Sequence, residues 1–253
     1  MTYDLGILGG MGTQATAAFF ELLTAHTAAS CDAEHLNTVI LNRADTPDRT
    51  RFILGKSPAD PLPFLLDGVK TLNAIGVRAS AIPCNTSHYF YERLAAASDA
   101  PILNMVDLAL SYSERCEHPN TVCVLATLGT VQSDIYRLFD HPNLNVMYPD
   151  EDTCKEVHSV IEAVKDTAHA NIAALSGQLA AVMRRLNMTG SKTYLLACTE
   201  LSVLDKRCFE GFSVVDAMDV LALSAIAVSG KRIKMGSMNY DESIIRDIVK
   251  RYQ

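Results

Sequence analysis

Two stretches, Ile82-Pro83-Cys84-Asn85-Thr86-Ser87-His88 and the later Leu196-Ala197-Cys198-Thr199-Glu200, decide the fold that this sequence predicts. Each places a cysteine where an apolar, strand-like run ends, and residues suited to a helix N-cap follow at once: Asn85, Thr86 and Thr199. A thiol at the positive end of a helix is favoured as thiolate, which predicts a chemical role for both cysteines. Two buried structural cysteines are the alternative, but their matching contexts favour function.

The composition is that of a globular protein with a full core. The chain has 253 residues, of which 49% are hydrophobic and 20% charged, and its formal net charge of −7 argues against nucleic acid as the main partner. No apolar run approaches the roughly 18 residues of a membrane span, and the N-terminus lacks the regions of a signal peptide. Seven cysteines without a C-x-x-C pair or zinc spacing predict free thiols in a reducing cytoplasm and no bound metal.

The chain opens with a predicted strand over residues 3–8, the turn Gly9-Gly10-Met11-Gly12, and a helix from about Thr13. This arrangement brings backbone N–H groups against an anion. It also fits the dinucleotide fingerprint, which requires an acidic residue at the end of the next strand. That strand, predicted over residues 38–41, ends in Asn42-Arg43, so a dinucleotide is the weaker interpretation.

The same strand, turn and helix pattern recurs at residues 122–130. Gly129-Thr130 follows Gly12-Thr13 at nearly the interval at which Cys198 follows Cys84. The agreement predicts an internal duplication, and coincidence between common patterns is the alternative. We therefore predict an α/β fold with two pseudo-symmetric lobes, each a mostly parallel sheet flanked by helices. Residues 1–103 with 214–253 form the first predicted lobe and residues 104–213 the second, with the active site in the cleft between them.

Three further polar residues have ordinary structural explanations. His88 on its helix is most simply a structural hydrogen-bonding residue, and Lys165 at a helix C-terminus is explained by the macrodipole. Arg49 lies in a polar loop, where charged side chains are usually solvated, although loops after strand ends are also where α/β proteins bind ligands.

Two cysteines facing each other across a cleft suit one reaction. One, as thiolate, removes a proton from a carbon while the other donates a proton to the opposite face, which inverts the centre. The α-proton of an amino acid is weakly acidic, so the base must lie within about 3 Å and fixed donors must stabilise the developing charge. The turn amides at residues 10–12 and 127–130 are candidate donors.

Five stretches of the sequence resemble the aspartate/glutamate racemase superfamily, and cofactor-independent aspartate racemases most of all. They are Gly9-Gly10-Met11-Gly12, Thr46-Pro47-Asp48-Arg49, Pro83-Cys84-Asn85-Thr86, Leu125-Ala126-Thr127-Leu128-Gly129-Thr130 and Ala197-Cys198-Thr199-Glu200. The match runs in order up to about Val228. Two departures are Thr13, where the family often has proline, and the tail beyond Gly230, which has no matching motif.

The resemblance implies a racemase that interconverts L- and D-aspartate, or glutamate, without pyridoxal phosphate and with Cys84 and Cys198 as the acid/base pair. Arg49 matches the arginine that grips a substrate carboxylate, and Lys165 matches a lysine in the same role. The other positions assigned to substrate binding are Met11, Asn85, Thr86, Thr127, Thr130, Thr199 and Glu200. A homodimer is also implied. The alternatives are a hydantoin racemase or maleate isomerase-like enzyme on the same scaffold, and a catalytically silent amino-acid binding protein.

Overall fold

Two separate parallel sheets form the centre of the computed structural model, which describes residues 2–116, 121–166, 169–187, 193–234 and 240–252. The strands of the first sheet are β1 (Leu5–Gly9), β2 (Thr38–Asn42), β3 (Ser80–Ala81) and β4 (Ile102–Leu103). Those of the second are β5 (Thr121–Ala126), β6 (Asn145–Met147), β7 (Thr193–Ala197) and β8 (Val214–Asp216). The strand orders, β2-β1-β3-β4 and β6-β5-β7-β8, are equivalent, which confirms the prediction of two similar α/β units.

Helices connect and cover the strands. Those of the first half are α1 (Thr13–His26), α2 (Arg49–Ile53), α3 (Leu62–Ile75), α4 (Tyr91–Ala96) and α5 (Met105–Arg115). Those of the second half are α6 (Leu128–Ser133), α7 (Glu151–Lys165), α8 (Ile172–Asn187), α9 (Thr199–Ser202), α10 (Ala217–Val228) and α11 (Glu242–Ile248). Short 3₁₀ segments are Asp32–Glu34, Asn85–Phe90, Ile135–Arg137, Lys206–Phe209 and Lys250–Tyr252. No helix within the described ranges is long and apolar enough to cross a membrane.

Side-chain caps set where several helices begin. The Asn104 side chain accepts hydrogen bonds from the backbone N–H groups of Val106 and Asp107, so α5 begins at Met105. Asp150 caps α7 in the same way, by accepting from the Thr153 N–H. These caps satisfy backbone N–H groups that have no partner inside the helix.

The predicted return of the chain to the first lobe at residue 214 is wrong for β8. This strand pairs in parallel with β7, with Leu195 opposite Val215, and so completes the second sheet. The helix that follows, α10, packs against both α1 and α5. Almost every residue of α10 is buried, because a helix that is apolar on all sides needs cover on all sides.

The C-terminal residues pack on this same core. Ile245, Ile248 and Val249 are buried in the large apolar cluster that also contains α5 and α10. The amphipathic stretch in the tail therefore packs against the apolar core of the same chain.

Candidate active site

Cys84 and Cys198 line one cavity, and each lies beyond the carboxyl end of a strand, Cys84 after β3 and Cys198 directly after β7. The two cysteines are 7% and 5% exposed. The full lining is Met11, Asp48, Arg49, Thr50, Cys84, Asn85, Thr86, Thr127, Lys165, Cys198, Thr199 and Glu200. Of the residues that the sequence analysis assigned to the site, only Thr130 is outside this lining, and it contacts two members of it.

Each cysteine is itself the cap of the helical segment that follows it. Cys84, with φ −158° and ψ 106°, precedes the 3₁₀ segment Asn85–Phe90, and Cys198, with φ −152° and ψ 132°, precedes α9. Neither makes a side-chain capping hydrogen bond. The prediction that Asn85, Thr86 or Thr199 is the cap is therefore wrong, because each cysteine itself has the extended backbone of a cap residue.

His88 holds the backbone around Cys84. The backbone N–H of Met105 donates to Nε2 at 3.0 Å, so the ring proton is on Nδ1, which donates to the Cys84 carbonyl oxygen at 3.0 Å. Burial lowers the pKa of His88 to about 4, and the ring is neutral at physiological pH. Its role is structural, as the sequence predicted.

Three buried threonines join the two lobes at the cavity. The Thr86 hydroxyl lies 3.0 Å from those of Thr127 and Thr130, which are 3.1 Å from each other. Thr127 also caps α6 by accepting from the Thr130 N–H. Beside them α2 approaches α6 closely: a Cβ on Gly129 would lie 2.8 Å from the Thr50 Cα, so this approach requires glycine.

Arg49 is held by backbone carbonyl groups. Its Nη1 donates to the carbonyl oxygens of Thr46 (3.2 Å) and Pro47 (2.9 Å), and its Nη2 donates to that of Met11 (2.7 Å). Its Nε is buried and has no partner among the described residues. The guanidinium thus forms part of the cavity wall, and its Nε–H is not used in a hydrogen bond to the described residues.

Lys165 is the second cation of the cavity and the last residue of α7. Its Nζ lies 2.7 Å from the carboxylate of the exposed Glu162. Burial acts to lower the pKa of Lys165, but the carboxylate of Glu200, together with Glu162 and Cys198, raises it. Lys165 is therefore charged at neutral pH, and its solvent-exposed partner can be replaced by another carboxylate.

Cys198 and Glu200 form a hydrogen-bonded pair. The thiol donates to Glu200 Oε2 at 2.9 Å, and the Thr199 hydroxyl donates to the same oxygen at 3.3 Å. Burial first, and then the Glu200 carboxylate, raise the pKa of Cys198 well above 9, while Lys165 acts in the opposite direction. The end of the four-residue helix α9 favours thiolate, but burial and Glu200 act in the opposite direction and favour the protonated thiol of Cys198.

Glu200 also reaches the first lobe. A Cβ on Gly12 would lie 2.8 Å from Glu200 Oε1, so the carboxylate occupies space that any residue other than glycine would fill. The glycine turn of the first lobe thereby accommodates the acidic residue of the second.

Glu200→Gln is expected to increase the alkylation rate of Cys198 by iodoacetamide at pH 7 about tenfold or more. Removal of the negative charge lowers the pKa of the thiol, and one pKa unit gives roughly tenfold more thiolate well below the pKa. Mass spectrometry of peptides measures the rate for each cysteine, and Glu21→Gln, which changes an exposed carboxylate that lines neither cavity, is the control. An unchanged alkylation rate at Cys198 would mean that the Glu200 carboxylate does not stabilise the protonated form of the Cys198 thiol.

A second cavity, of about 580 Å³, adjoins the one between the cysteines. Met11, Asp48, Arg49, Lys165 and Glu200 line both and form the wall between them. The inner cavity offers only about 10 Å³, which is the space of about one water molecule. A ligand in the outer cavity reaches the cysteines only when this wall moves.

Three residues that the structure brings to the site were not predicted from the sequence. Asp48 and Thr50 line the cavity, and their signal was their position beside Arg49 in a motif of the first lobe. Tyr136 donates its hydroxyl proton to Asn85 Oδ1 from the second lobe, and nothing in its sequence context indicated this contact.

The fold and cavity define a class of protein: a two-lobed α/β protein with one cysteine at each of two equivalent strand ends, both lining the same cavity. The family described as Asp/Glu/Hydantoin racemase matches residues 8–225, and the chain belongs to this family. It is an isomerase, an amino-acid racemase.

Solved and curated relatives agree with this assignment. The aspartate racemase of Picrophilus torridus has 30% sequence identity and a TM-score of 0.80, over 96% of this chain and 98% of that one. The broad specificity amino-acid racemase RacX of Bacillus subtilis (strain 168) is 25% identical over 231 residues, which cover 88% of this chain and 96% of that protein. Glutamate racemase RacE1 of Bacillus anthracis shares the fold, with a TM-score of 0.59 at 17% identity over 99% of this chain and 93% of that one.

Proposed function

We propose that the protein interconverts L- and D-aspartate, with glutamate as the other candidate substrate, by moving the α-proton between Cys84 and Cys198 without pyridoxal phosphate. The observation that carries this proposal is the single cavity lined by both cysteines together with Arg49 and Lys165. The resemblance to an aspartate racemase at 30% identity supports the choice of aspartate.

In the proposed reaction Cys84, as thiolate, removes the α-proton, and a new S–H bond forms as the C–H bond breaks. The electron pair left on the carbon spreads into the α-carboxylate, where fixed donors stabilise it. Cys198, whose proton points to Glu200, then delivers that proton to the opposite face and is left as thiolate. The next turnover, on the other enantiomer, runs with the roles exchanged.

Two cations favour a dicarboxylic substrate. The unused Nε of Arg49 and the readily exchanged ion pair of Lys165 offer donors for two carboxylates. Uncharged hydrogen-bonding groups come from Asn85, Thr86, Thr127 and Thr199. Thr130 holds the hydroxyl groups of Thr86 and Thr127 in place. The proposed binding set therefore combines charge at the wall of the cavity with neutral polar groups beside the cysteines.

We further propose that the protein works as a homodimer in the cytoplasm. A mechanism with two free thiols requires a reducing compartment, because a disulfide between them would remove both acid and base. Size-exclusion chromatography with light scattering measures the oligomeric state directly.

Proton NMR in D₂O with L-aspartate, and then L-glutamate, tests the proposed function in the absence of added pyridoxal phosphate. We expect loss of the α-proton signal together with appearance of the D-enantiomer by chiral chromatography, since the thiol protons exchange with solvent. The double variant Cys84→Ala with Cys198→Ala is the control for contaminating racemases. Neither exchange nor inversion with either acid would contradict the proposal.

A further inference from the structure

Tyr136 makes a hydrogen bond across the two lobes to the residue beside Cys84. It lies in the 3₁₀ segment Ile135–Arg137 and is fully buried in the apolar core. Its hydroxyl donates to Oδ1 of Asn85, which is 2% exposed and lines the cavity between the cysteines. A buried phenol thus reaches from the second lobe to the cysteine motif of the first.

The other end of the Asn85 amide is unused. Its Nδ2 is buried and has no hydrogen-bond partner among the described residues. A buried amide nitrogen without a partner destabilises the folded protein, because it has lost its hydrogen bonds to water. Such a group is expected where a ligand supplies the missing acceptor.

The phenol determines which way this amide points. The two ends of an asparagine amide have nearly the same shape, so hydrogen bonding decides their orientation. The Tyr136 hydroxyl has no other hydrogen-bond partner in the described part of the chain, so its proton is directed to Oδ1. Burial raises the pKa of Tyr136 well above 10, and the hydroxyl remains a donor at every working pH.

We propose that Tyr136 is a positioning residue of the racemase site, which fixes the Asn85 amide so that its Nδ2–H₂ faces the substrate carboxylate. Without the phenol, the amide would rotate and present Oδ1 to the carboxylate in part of the molecules. Two oxygens would then oppose each other, and the substrate would lose one hydrogen bond. This inference rests on the proposed function, because it assigns a carboxylate as the group that meets Asn85.

Tyr136→Phe, Asn85→Ala and the double variant test this inference as a cycle. We expect each single change to raise KM for aspartate about tenfold, the effect of one lost hydrogen bond to a charged group. We expect kcat to change less than threefold, because the cysteines are untouched. The double variant should equal Asn85→Ala alone within twofold, because Tyr136 has nothing left to orient.

Tyr194→Phe is the matched control. Tyr194 is as deeply buried as Tyr136, but its hydroxyl donates to the Met183 carbonyl oxygen at 2.8 Å, away from the cavity. KM should stay within twofold of the wild type. Equal KM increases in both tyrosine variants would assign Tyr136 to general stability and overturn the inference.

Calorimetric titration with succinate, a dicarboxylate that cannot be racemised, repeats the cycle without turnover. Independent, multiplicative effects of the two changes on its dissociation constant would overturn the role of Tyr136, even if the wild type racemises aspartate. A wild type that binds succinate with the expected coupling but racemises neither acid would overturn the proposed function alone. Absence of succinate binding to the wild type would count against both.

Discussion

Cys84→Ala and Cys198→Ala are each expected to lower kcat for aspartate racemisation by at least about 10³-fold, within the range for loss of a positioned acid or base. Inversion requires one group on each face of the α-carbon, and the cavity supplies one cysteine from each lobe. Chiral chromatography of the reaction from both enantiomers measures the loss. A variant that keeps more than a tenth of the wild-type rate would contradict the two-thiol mechanism.

The residual reaction of these variants identifies the face that each thiol serves. In Cys198→Ala the remaining Cys84 still reaches one face, so α-proton exchange in D₂O without inversion is expected from one enantiomer only. Cys84→Ala should show the same for the other enantiomer. Cys154→Ala is the matched control, since Cys154 is 4% exposed but lies in α7, outside the lining of the cavity, and its loss should leave racemisation unchanged.

The sequence predicted the fold well wherever a local pattern carried the information. The two cysteine motifs and the two opening turns each combine a strand, a turn and a helix start, and the structure repeats these units in two sheets of equivalent strand order. The strand β6 was not predicted, because three residues, Asn145-Val146-Met147, are too short and too exposed to show a pattern. The pairing of β8 with β7 was also missed, because strand partners are not encoded locally.

The pKa values of the site residues were harder to predict from the sequence than which residues line the site. The sequence placed Cys198 before a helix, which favours thiolate, yet burial and the Glu200 carboxylate raise its pKa. Both effects depend on how deeply the strand end is covered. The hydrogen bond between Tyr136 and Asn85 joins residues from different lobes, so it exists only after the lobes have packed together.

Arg49→Ala is expected to raise KM for aspartate about 100-fold, with a smaller effect on a neutral amino acid such as alanine. A buried guanidinium bound to a carboxylate forms strong charge-assisted hydrogen bonds, and a second substrate carboxylate depends on them most. Arg51→Ala is the matched control, because Arg51 lies in the same helix and its side chain is exposed. Steady-state kinetics with both amino acids gives the comparison, and equal effects on both would refute the assigned role.

Arg49 also has a structural role, which Arg49→Ala removes together with the charge. Its two terminal nitrogens donate to the carbonyl oxygens of Thr46, Pro47 and Met11, so Arg49→Ala loosens the loop as well as removing the charge. Arg49→Lys separates the two effects, because a lysine keeps the charge but cannot reproduce the planar fork. If the charge of Arg49 is what binds the substrate, Arg49→Lys should keep at least a tenth of the wild-type kcat/KM for aspartate. If it is as inactive as Arg49→Ala and melts at the same lowered temperature, then Arg49 acts by holding the loop, and Lys165 is the cation that binds the substrate.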